Sequence, residues 1–450
     1  MTLLQAPPAP QDTTREALLQ RYRKTRALSL ELVQPLTQEE WRIQSMPDVS
    51  PPWWNLGHTT WFFCRNILTP RGLATAEDEQ LEYVLNSYYE SLGPRLPRHR
   101  RGSVGRPTNA TIRAYRISVD ERMERLLTTT GGEDWPALSE LVRVGIEHEQ
   151  QHQELLVTEI QHILATLPLP LRPVYQPGVA NPEVGNPAAA ANETPEARFQ
   201  PIAGGLVEIG HGEVGWSWDN EQPRHKAWVE DFLLLDRLVT CSEYLEFIAD
   251  GGYRQPLLWL SNGWQAVQEQ GWQAPMYWRQ QEDQWRVWGL TGDSPLLPAQ
   301  PVAHLSFYEA DAFLRWKGET DAAWAGARLP TEREWEHAAR AHQFESAEGH
   351  HLDDGEFRPR PANAAGDGLR QLRGGLWEWT SSHYEPYPGY RPFGGALMEY
   401  NGKFMDNQRV LRGGSWATPR DHIRVSYRNF WPADTRFQLT GVRALREIDR

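Results

Sequence analysis

Cysteine is nearly absent: Cys64 and Cys241 are the two in 450 residues. That excludes a disulfide framework and a zinc site built from thiolates, and a reducing cytoplasm is the expected setting. No run of about 18 apolar residues occurs, so no membrane-spanning helix is expected. Positive charge is in deficit, with 46 Lys and Arg against 59 Asp and Glu and a net charge of −13. This argues against a general nucleic-acid or anionic-membrane binder. Residues 1–26 show no charged-then-apolar signal pattern, so export is not expected. Hydrophobic residues at 40% and charged residues at 23% are the proportions of a folded globular chain, not a disordered one. The length exceeds one compact core and points to two domains, or three.

Tryptophan, by contrast, is abundant at 21. Five lie before residue 150 and sixteen after residue 210, so the two halves are built differently. Residues 1–166 read as an all-α four-helix bundle. A first amphipathic segment includes Leu18, Leu19, Tyr22 and Leu28. A second spans Trp53–Leu68 behind Pro51-Pro52, a third Thr108–Leu127, and a fourth starts at Asp134-Trp135-Pro136; a long loop covers 69–107. Residues 167–200, rich in Pro, Ala and Asn, read as an extended linker. From 201 to 450, short β-type runs, glycine pairs and tryptophans alternate with helical pieces at 241–250, 306–318 and 331–341, the pattern of an α+β domain.

The sharpest local signal is His148-Glu149-Gln150-Gln151-His152. Residues i and i+4 lie about 40° apart on a helix, so the two imidazoles share a face and can chelate one divalent ion. Formally this is HExxH, in which the glutamate is the general base of a zinc protease. Glu149 lies roughly 100° round from His148, and no third ligand follows at the usual downstream spacing. A third imidazole is available upstream, His58 in Asn55-Leu56-Gly57-His58, where Gly57 permits a close helix approach. Taken singly, each histidine is more readily a satisfied core or surface side chain. Three from two bundle helices form a ligand set with open positions, suited alike to Zn²⁺, Fe²⁺, Ni²⁺ or Cu²⁺.

Two sets of motifs carry a family resemblance. Asn55–Phe62 (NLGHTTWF) with His148–Glu154 (HEQQHQE) resembles the metal-binding bundle of the DinB superfamily. Ala327–Glu336 (ARLPTEREWE), Leu376–Thr380 (LWEWT), Val410–Trp416 (VLRGGSW), Tyr427-Arg428-Asn429 and Gly441-Val442-Arg443 resemble the formylglycine-generating-enzyme fold, a C-type-lectin-like α+β domain. In this order the two modules are similar to the ergothioneine-biosynthesis sulfoxide synthases, the EgtB-like enzymes. The resemblance implies a non-haem Fe²⁺ enzyme that joins a thiol to C2 of the imidazole of hercynine (Nα-trimethylhistidine), using O₂ and leaving the sulfur as a sulfoxide. It implies His58, His148 and His152 as the iron ligands. Formylglycine-generating enzymes work through a C-terminal cysteine pair. No cysteine follows Cys241 here, so that chemistry is not expected, and the C-terminal module is expected to wall the metal pocket.

The same resemblance assigns further roles. Gln151 matches a position on the hercynine side. Tyr88-Tyr89 matches the adjacent tyrosines that serve one branch as donor of a proton or hydrogen atom; the tyrosine that the other branch takes from the C-terminal module aligns near Leu397, three residues before Tyr400. A phenol can donate either species. Arg95 and Arg98 match capture of the thiol substrate's carboxylate by a guanidinium. They begin an acid-free stretch with seven arginines, which reads otherwise as a phosphate or RNA patch or as a solvated surface, and solvated is the expectation for Arg100 and Arg101. Asn429 matches a hydrogen-bonding partner of hercynine, and Tyr400 and Phe430 are candidates to face its quaternary ammonium. The γ-glutamylcysteine-using branch has an aspartate where this chain has Trp431, so L-cysteine is the expected thiol. Three other readings stand beside this one: a DinB-type zinc-dependent thiol S-transferase, an ovothiol-type sulfoxide synthase acting on histidine, and a non-catalytic binding protein built on the lectin-like module.

Overall fold

The computed structural model describes residues 14–172, 175, 196–212, 215–363 and 368–448. The chain forms two compact units, one of residues 1–173 with 213–216 and 393–400, the other of the remainder. Most of the expected linker, residues 176–195, lies outside the described residues.

The first unit is helical. Helix α1 (Arg15–Val33) starts where the Thr14 side chain accepts a hydrogen bond from the Ala17 amide. Helix α2 (Pro52–Phe63) takes proline at its first position, where a missing N–H costs nothing. It stops five residues before the expected end, because Cys64–Leu68 winds as a π-helical turn. The expected loop 69–107 holds short helices α3 (Ala76–Gln80) and α4 (Glu82–Leu85). Helix α5 (Asn109–Thr129) is capped by Thr108, and α6 (Trp135–Ala165) is the longest. Helix α1 packs on α6, and α2 packs on both α5 and α6. The approach of α6 to α2 needs glycine at 145, since a Cβ there would lie 2.3 Å from Cε1 of Phe63. Gly57 makes its close approach elsewhere, to Leu85 of α4 and Ile112 of α5. Among the described residues no helix is long and apolar enough to cross a membrane.

The bundle interior also holds charge. Glu149 is fully buried and accepts hydrogen bonds from Arg26 (2.8 Å), Arg116 (2.6 Å) and Ser29 (2.7 Å). Burial pushes its carboxyl up, but Arg116 and Arg26 outweigh burial and hold it down to about 2. Burial and the nearby Arg26 charge in turn lower the Arg116 guanidinium. One carboxylate is thus shared by two cations through short charge-assisted hydrogen bonds.

The second unit is α+β. A four-stranded sheet runs in the order Asn429–Pro432, Gln408–Arg412, Trp377–His383, Thr440–Gly441. A three-stranded sheet joins Phe199–Ile202, Phe232–Leu235 and Leu445–Glu447. The helices expected near 241, 306 and 331 form as Cys241–Ala249, Phe307–Thr320 and Glu332–Ala341, each behind a capping box. Helix Ser261–Gln270 and an antiparallel sheet over 278–295 were not legible in the sequence.

The motif residues of this half meet as buried ion pairs. Glu332 takes Arg428 at 2.7 Å and Arg412 at 2.8 Å, Arg412 also takes Glu336 at 2.6 Å, and Glu378 takes Arg443 at 2.8 Å. The Trp335 indole donates to Glu378 at 2.7 Å, and the Trp379 indole to the Leu305 carbonyl at 2.8 Å. Opposite charges from distant motifs therefore satisfy one another inside a unit with little regular structure.

Candidate metal centre

Three imidazoles converge in the first unit. His58 comes from α2, and His148 and His152 come from successive turns of α6. One ligand nitrogen of each lies within 4.8 Å of the others, a span on the order of two metal–nitrogen bonds end to end, about 4 Å. His58 and His148 are buried, and His152 is partly exposed. Packing fixes the rings. His58 stacks on Trp54 at 4.5 Å and on Trp61 at 5.5 Å, one helical turn to either side, and His148 stacks on Phe62 at 4.0 Å.

The outer nitrogens choose the tautomers. His58 Nδ1 lies 2.7 Å from the Leu85 carbonyl, which only accepts, so Nδ1 carries the proton and Nε2 keeps its lone pair. His152 Nδ1 lies 2.8 Å from Oδ1 of Asn55. All three rings are held neutral. Burial is the main cause, joined by neighbouring imidazoles at His58 and His148 and by the Arg101 charge at His152, which is drawn down to about 3. Among the described residues, His58 Nε2 and both nitrogens of His148 are buried with no hydrogen-bond partner. Buried imidazole lone pairs with no protein partner, aimed at a shared point, are what a metal ion would satisfy. The residues present fit such an ion.

Glu149 does not face this point. Its carboxylate is spent on Arg26 and Arg116, so it is a structural charge and not a base beside the histidines.

The tyrosine pair follows α4. Asn86 holds the turn by donating to the Tyr89 carbonyl and accepting from the Tyr89 amide, and Tyr88 stacks on Tyr89 at 4.7 Å. Tyr89 is buried between Trp61 (5.8 Å) and Phe62 (6.4 Å), the aromatics that flank the histidines. Burial, with Tyr88 and Tyr400 alongside, raises its phenol well above the ordinary value. Tyr400 sits in this first unit, its ring 5.8 Å from that of His148 and 6.1 Å from that of Tyr88, and its hydroxyl donates to Oε1 of Gln151. Glu399 accepts from the Glu90 and Ser91 amides, just beyond the tyrosine pair.

The arginines divide differently from expectation. Arg95 pairs with Glu90 at 2.7 Å, and Arg98 lies 3.9 Å from Asp48; Arg95 is partly exposed and Arg98 exposed. Arg101 is not solvated as expected but buried, its guanidinium 3.3 Å from the Trp54 ring centroid and bonded to the Ser50 and Ser87 hydroxyls. A delocalised, weakly hydrated cation tolerates burial against an indole. Asn429, Phe430 and Trp431 lie on the outermost strand of the four-stranded sheet in the second unit, all half-buried. Asn429 Oδ1 accepts from the Phe430 amide, Phe430 stacks on Tyr384 at 4.0 Å, and Trp431 meets the edge of Phe437 at 5.4 Å.

Sequence reading missed Asn55 and Glu159. Their signal is positional: Asn55 lies three residues before His58, and Glu159 lies seven after His152, each on its histidine's helix face.

A helical bundle with a three-histidine cluster, followed by an α+β unit, defines a two-module metalloenzyme class. Residues 21–156 match the DinB superfamily, and residues 186–448 match the sulfatase-modifying factor enzyme 1-like domain. The hercynine oxygenase of Mycolicibacterium smegmatis is 32% identical over 95% of this chain and 98% of its own. That of Mycolicibacterium thermoresistibile is 34% identical over 68% of each chain. The formylglycine-generating enzyme of Streptomyces coelicolor is 27% identical over 59% of this chain and 96% of its own. The chain belongs to the hercynine oxygenase family, the EgtB-like sulfoxide synthases, and is an enzyme of this kind.

Proposed function

We propose that this enzyme joins L-cysteine to C2 of the hercynine imidazole in ergothioneine biosynthesis, with Fe²⁺ held by His58, His148 and His152 and with O₂ as oxidant. The C2–H and S–H bonds break, a C–S bond forms, one oxygen atom enters the sulfoxide and the other leaves as water. The observation that carries the reading is the meeting of three neutral imidazoles from two helices, with buried nitrogens of His58 and His148 that have no hydrogen-bond partner among the described residues. Bound there, iron would supply O₂ activation and would favour the substrate thiol as thiolate.

The chain's own residues would do the rest. Tyr89, buried among the aromatics that pack the histidines, would donate a proton or hydrogen atom, with Tyr88 stacked on it as its relay to the exterior. Gln151 would orient the hercynine side, its amide held by the Tyr400 hydroxyl. Arg95 and Arg98 would take the cysteine carboxylate, Arg95 by exchanging Glu90 for it. Asn429 would hydrogen-bond hercynine, while Phe430 and the Tyr400 ring would face its ammonium. Trp431 supplies no carboxylate for a glutamyl amine, which favours free cysteine over γ-glutamylcysteine.

The test is mass analysis of products from hercynine or histidine, with cysteine or γ-glutamylcysteine, under air and without O₂. The expected result is a hercynine–cysteine sulfoxide formed only with O₂. A faster reaction with γ-glutamylcysteine would overturn the thiol assignment. Attack on histidine would indicate an ovothiol-type synthase, and anaerobic product formation a zinc-dependent S-transferase.

A further inference from the structure

The orientation of His152 is set from two residues away. Its Nδ1 meets Oδ1 of Asn55 at 2.8 Å, while the Asn55 amide nitrogen donates to Oε2 of Glu159 at 2.6 Å and more weakly to the Ser50 carbonyl at 3.5 Å. Glu159 is buried, and its other oxygen accepts from the Ser50 amide at 2.8 Å. An asparagine amide can present either end, and nothing in Asn55 itself chooses. The choice is made by what faces the nitrogen end, a carboxylate and a carbonyl, both acceptors. Burial pushes the Glu159 carboxyl up to about 7. A proton placed on the oxygen facing Ser50 still leaves an acceptor toward Asn55, so the direction of the chain does not depend on that titration.

We propose that Glu159 and Asn55 are positioning residues that lock His152 in its Nδ1–H tautomer and so reserve Nε2 for the metal ion. This rests on the metal-centre reading above and adds to it the residues that select the ligand atom. The same selection is made at His58 by the Leu85 carbonyl, a backbone group that cannot flip. At His152 it depends on a rotatable amide, which is why a buried carboxylate stands behind it.

The chemistry of the pair gives a test with an internal control. In Glu159→Gln only one oxygen remains. If it stays on the Ser50 amide, the new NH₂ faces Asn55, whose own amide then turns and presents NH₂ to His152. Nδ1 becomes the acceptor, the proton moves to Nε2, and the ligand lone pair is lost. Loss of such an outer partner typically costs about 10–100-fold in metal affinity. In the double variant Asn55→Asp/Glu159→Gln the three short hydrogen bonds of the chain return, and only the weak one to the Ser50 carbonyl is lost. The introduced amide at position 159 accepts from the Ser50 N–H and donates to the introduced carboxylate at position 55. That carboxylate in turn accepts from His152 Nδ1–H.

The experiment titrates the metal-free full chain with Co²⁺, followed by its visible absorption, alongside nitrogen-15 resonances that report the His152 tautomer and melting curves that report folding. Glu159→Gln is expected to bind Co²⁺ about 10–100-fold more weakly with His152 shifted toward Nε2–H, and the double variant to recover both. Wild-type affinity in Glu159→Gln, or a double variant no better than the single one, overturns the proposal. If the single variant fails to fold, the double variant decides: folded with wild-type affinity it supports the chain of bonds, and unfolded or non-binding it refutes it. A wild-type chain that takes up no Co²⁺, or a His152→Ala chain that binds normally, would instead remove the metal-centre reading itself.

Discussion

Glu149→Gln separates two meanings of the same sequence motif. As the glutamate of HExxH it would be a general base, and its amide would stop turnover in an otherwise intact protein. As the structure has it, Glu149 is one fully buried carboxylate shared by Arg26 and Arg116, with Ser29 on the same oxygen as Arg116. The amide keeps the shape but removes the negative charge between two buried guanidiniums, and Asp120 then remains as the carboxylate partner of Arg26. Breaking a buried pair from one side costs about 3–5 kcal/mol. A domain of this size shifts by about 2–4 °C per kcal/mol, so the loss corresponds to a Tm roughly 6–20 °C lower. The assay is thermal melting of the metal-free variant, paired with its Co²⁺ affinity and its turnover below the new Tm. The expected variant melts early but, while folded, retains metal binding and most of its rate. An unchanged Tm with abolished turnover would refute the structural assignment and return Glu149 to the chemistry.

Tyr89→Phe is expected to keep metal affinity and to lower sulfoxide formation by about 100-fold or more, the usual scale for a lost proton donor, with O₂ consumption diverted to oxidation of the thiol alone. Tyr400→Phe is the competing variant, because that ring stands 5.8 Å from His148. If it reproduces the diversion while Tyr89→Phe does not, the donor is Tyr400. In the second unit, burial pushes the Glu332 carboxyl up, but Arg428 and Arg412 outweigh it and hold it below the ordinary carboxylate value. A carboxyl depressed in the folded state contributes fully above its unfolded pKa, about 4.3, and loses that contribution as pH falls through the folded value. Glu332→Gln should therefore melt earlier near neutral pH, and its Tm should fall less steeply than wild type below about pH 4.3. Parallel acid limbs for the two proteins would show that Glu332 does not carry the dependence.

What could be read from sequence was whatever follows from helical spacing or from a motif. The spacings of four and three residues that place His148 near His152 and Asn55 near His58 are local, and they hold whatever the rest of the chain does. The capping box Thr75/Asp78 was equally local and would have found α3 inside the supposed loop. Arg101 illustrates the opposite case. Within an acid-free arginine run it has the composition of a solvated surface, and its burial depends on an indole 47 positions earlier and on two serine hydroxyls. Tyr400 is separated from Gln151 by 249 positions, beyond the range of any periodicity. The polar residues of the bundle interior make the general point. Asn55, Glu149 and Glu159 are each poor choices for an apolar core, and sequence gives no means of telling which of them serves the histidines. Their partners decide it: a carboxylate answered by two guanidiniums balances charge within the bundle, whereas one answered by an amide that ends on His152 fixes where a lone pair points. Charge pairing can be traded for packing at little cost. The direction of a hydrogen bond cannot, and that difference makes Glu159, not the glutamate of the HExxH motif, the acidic residue to which the metal centre should be sensitive.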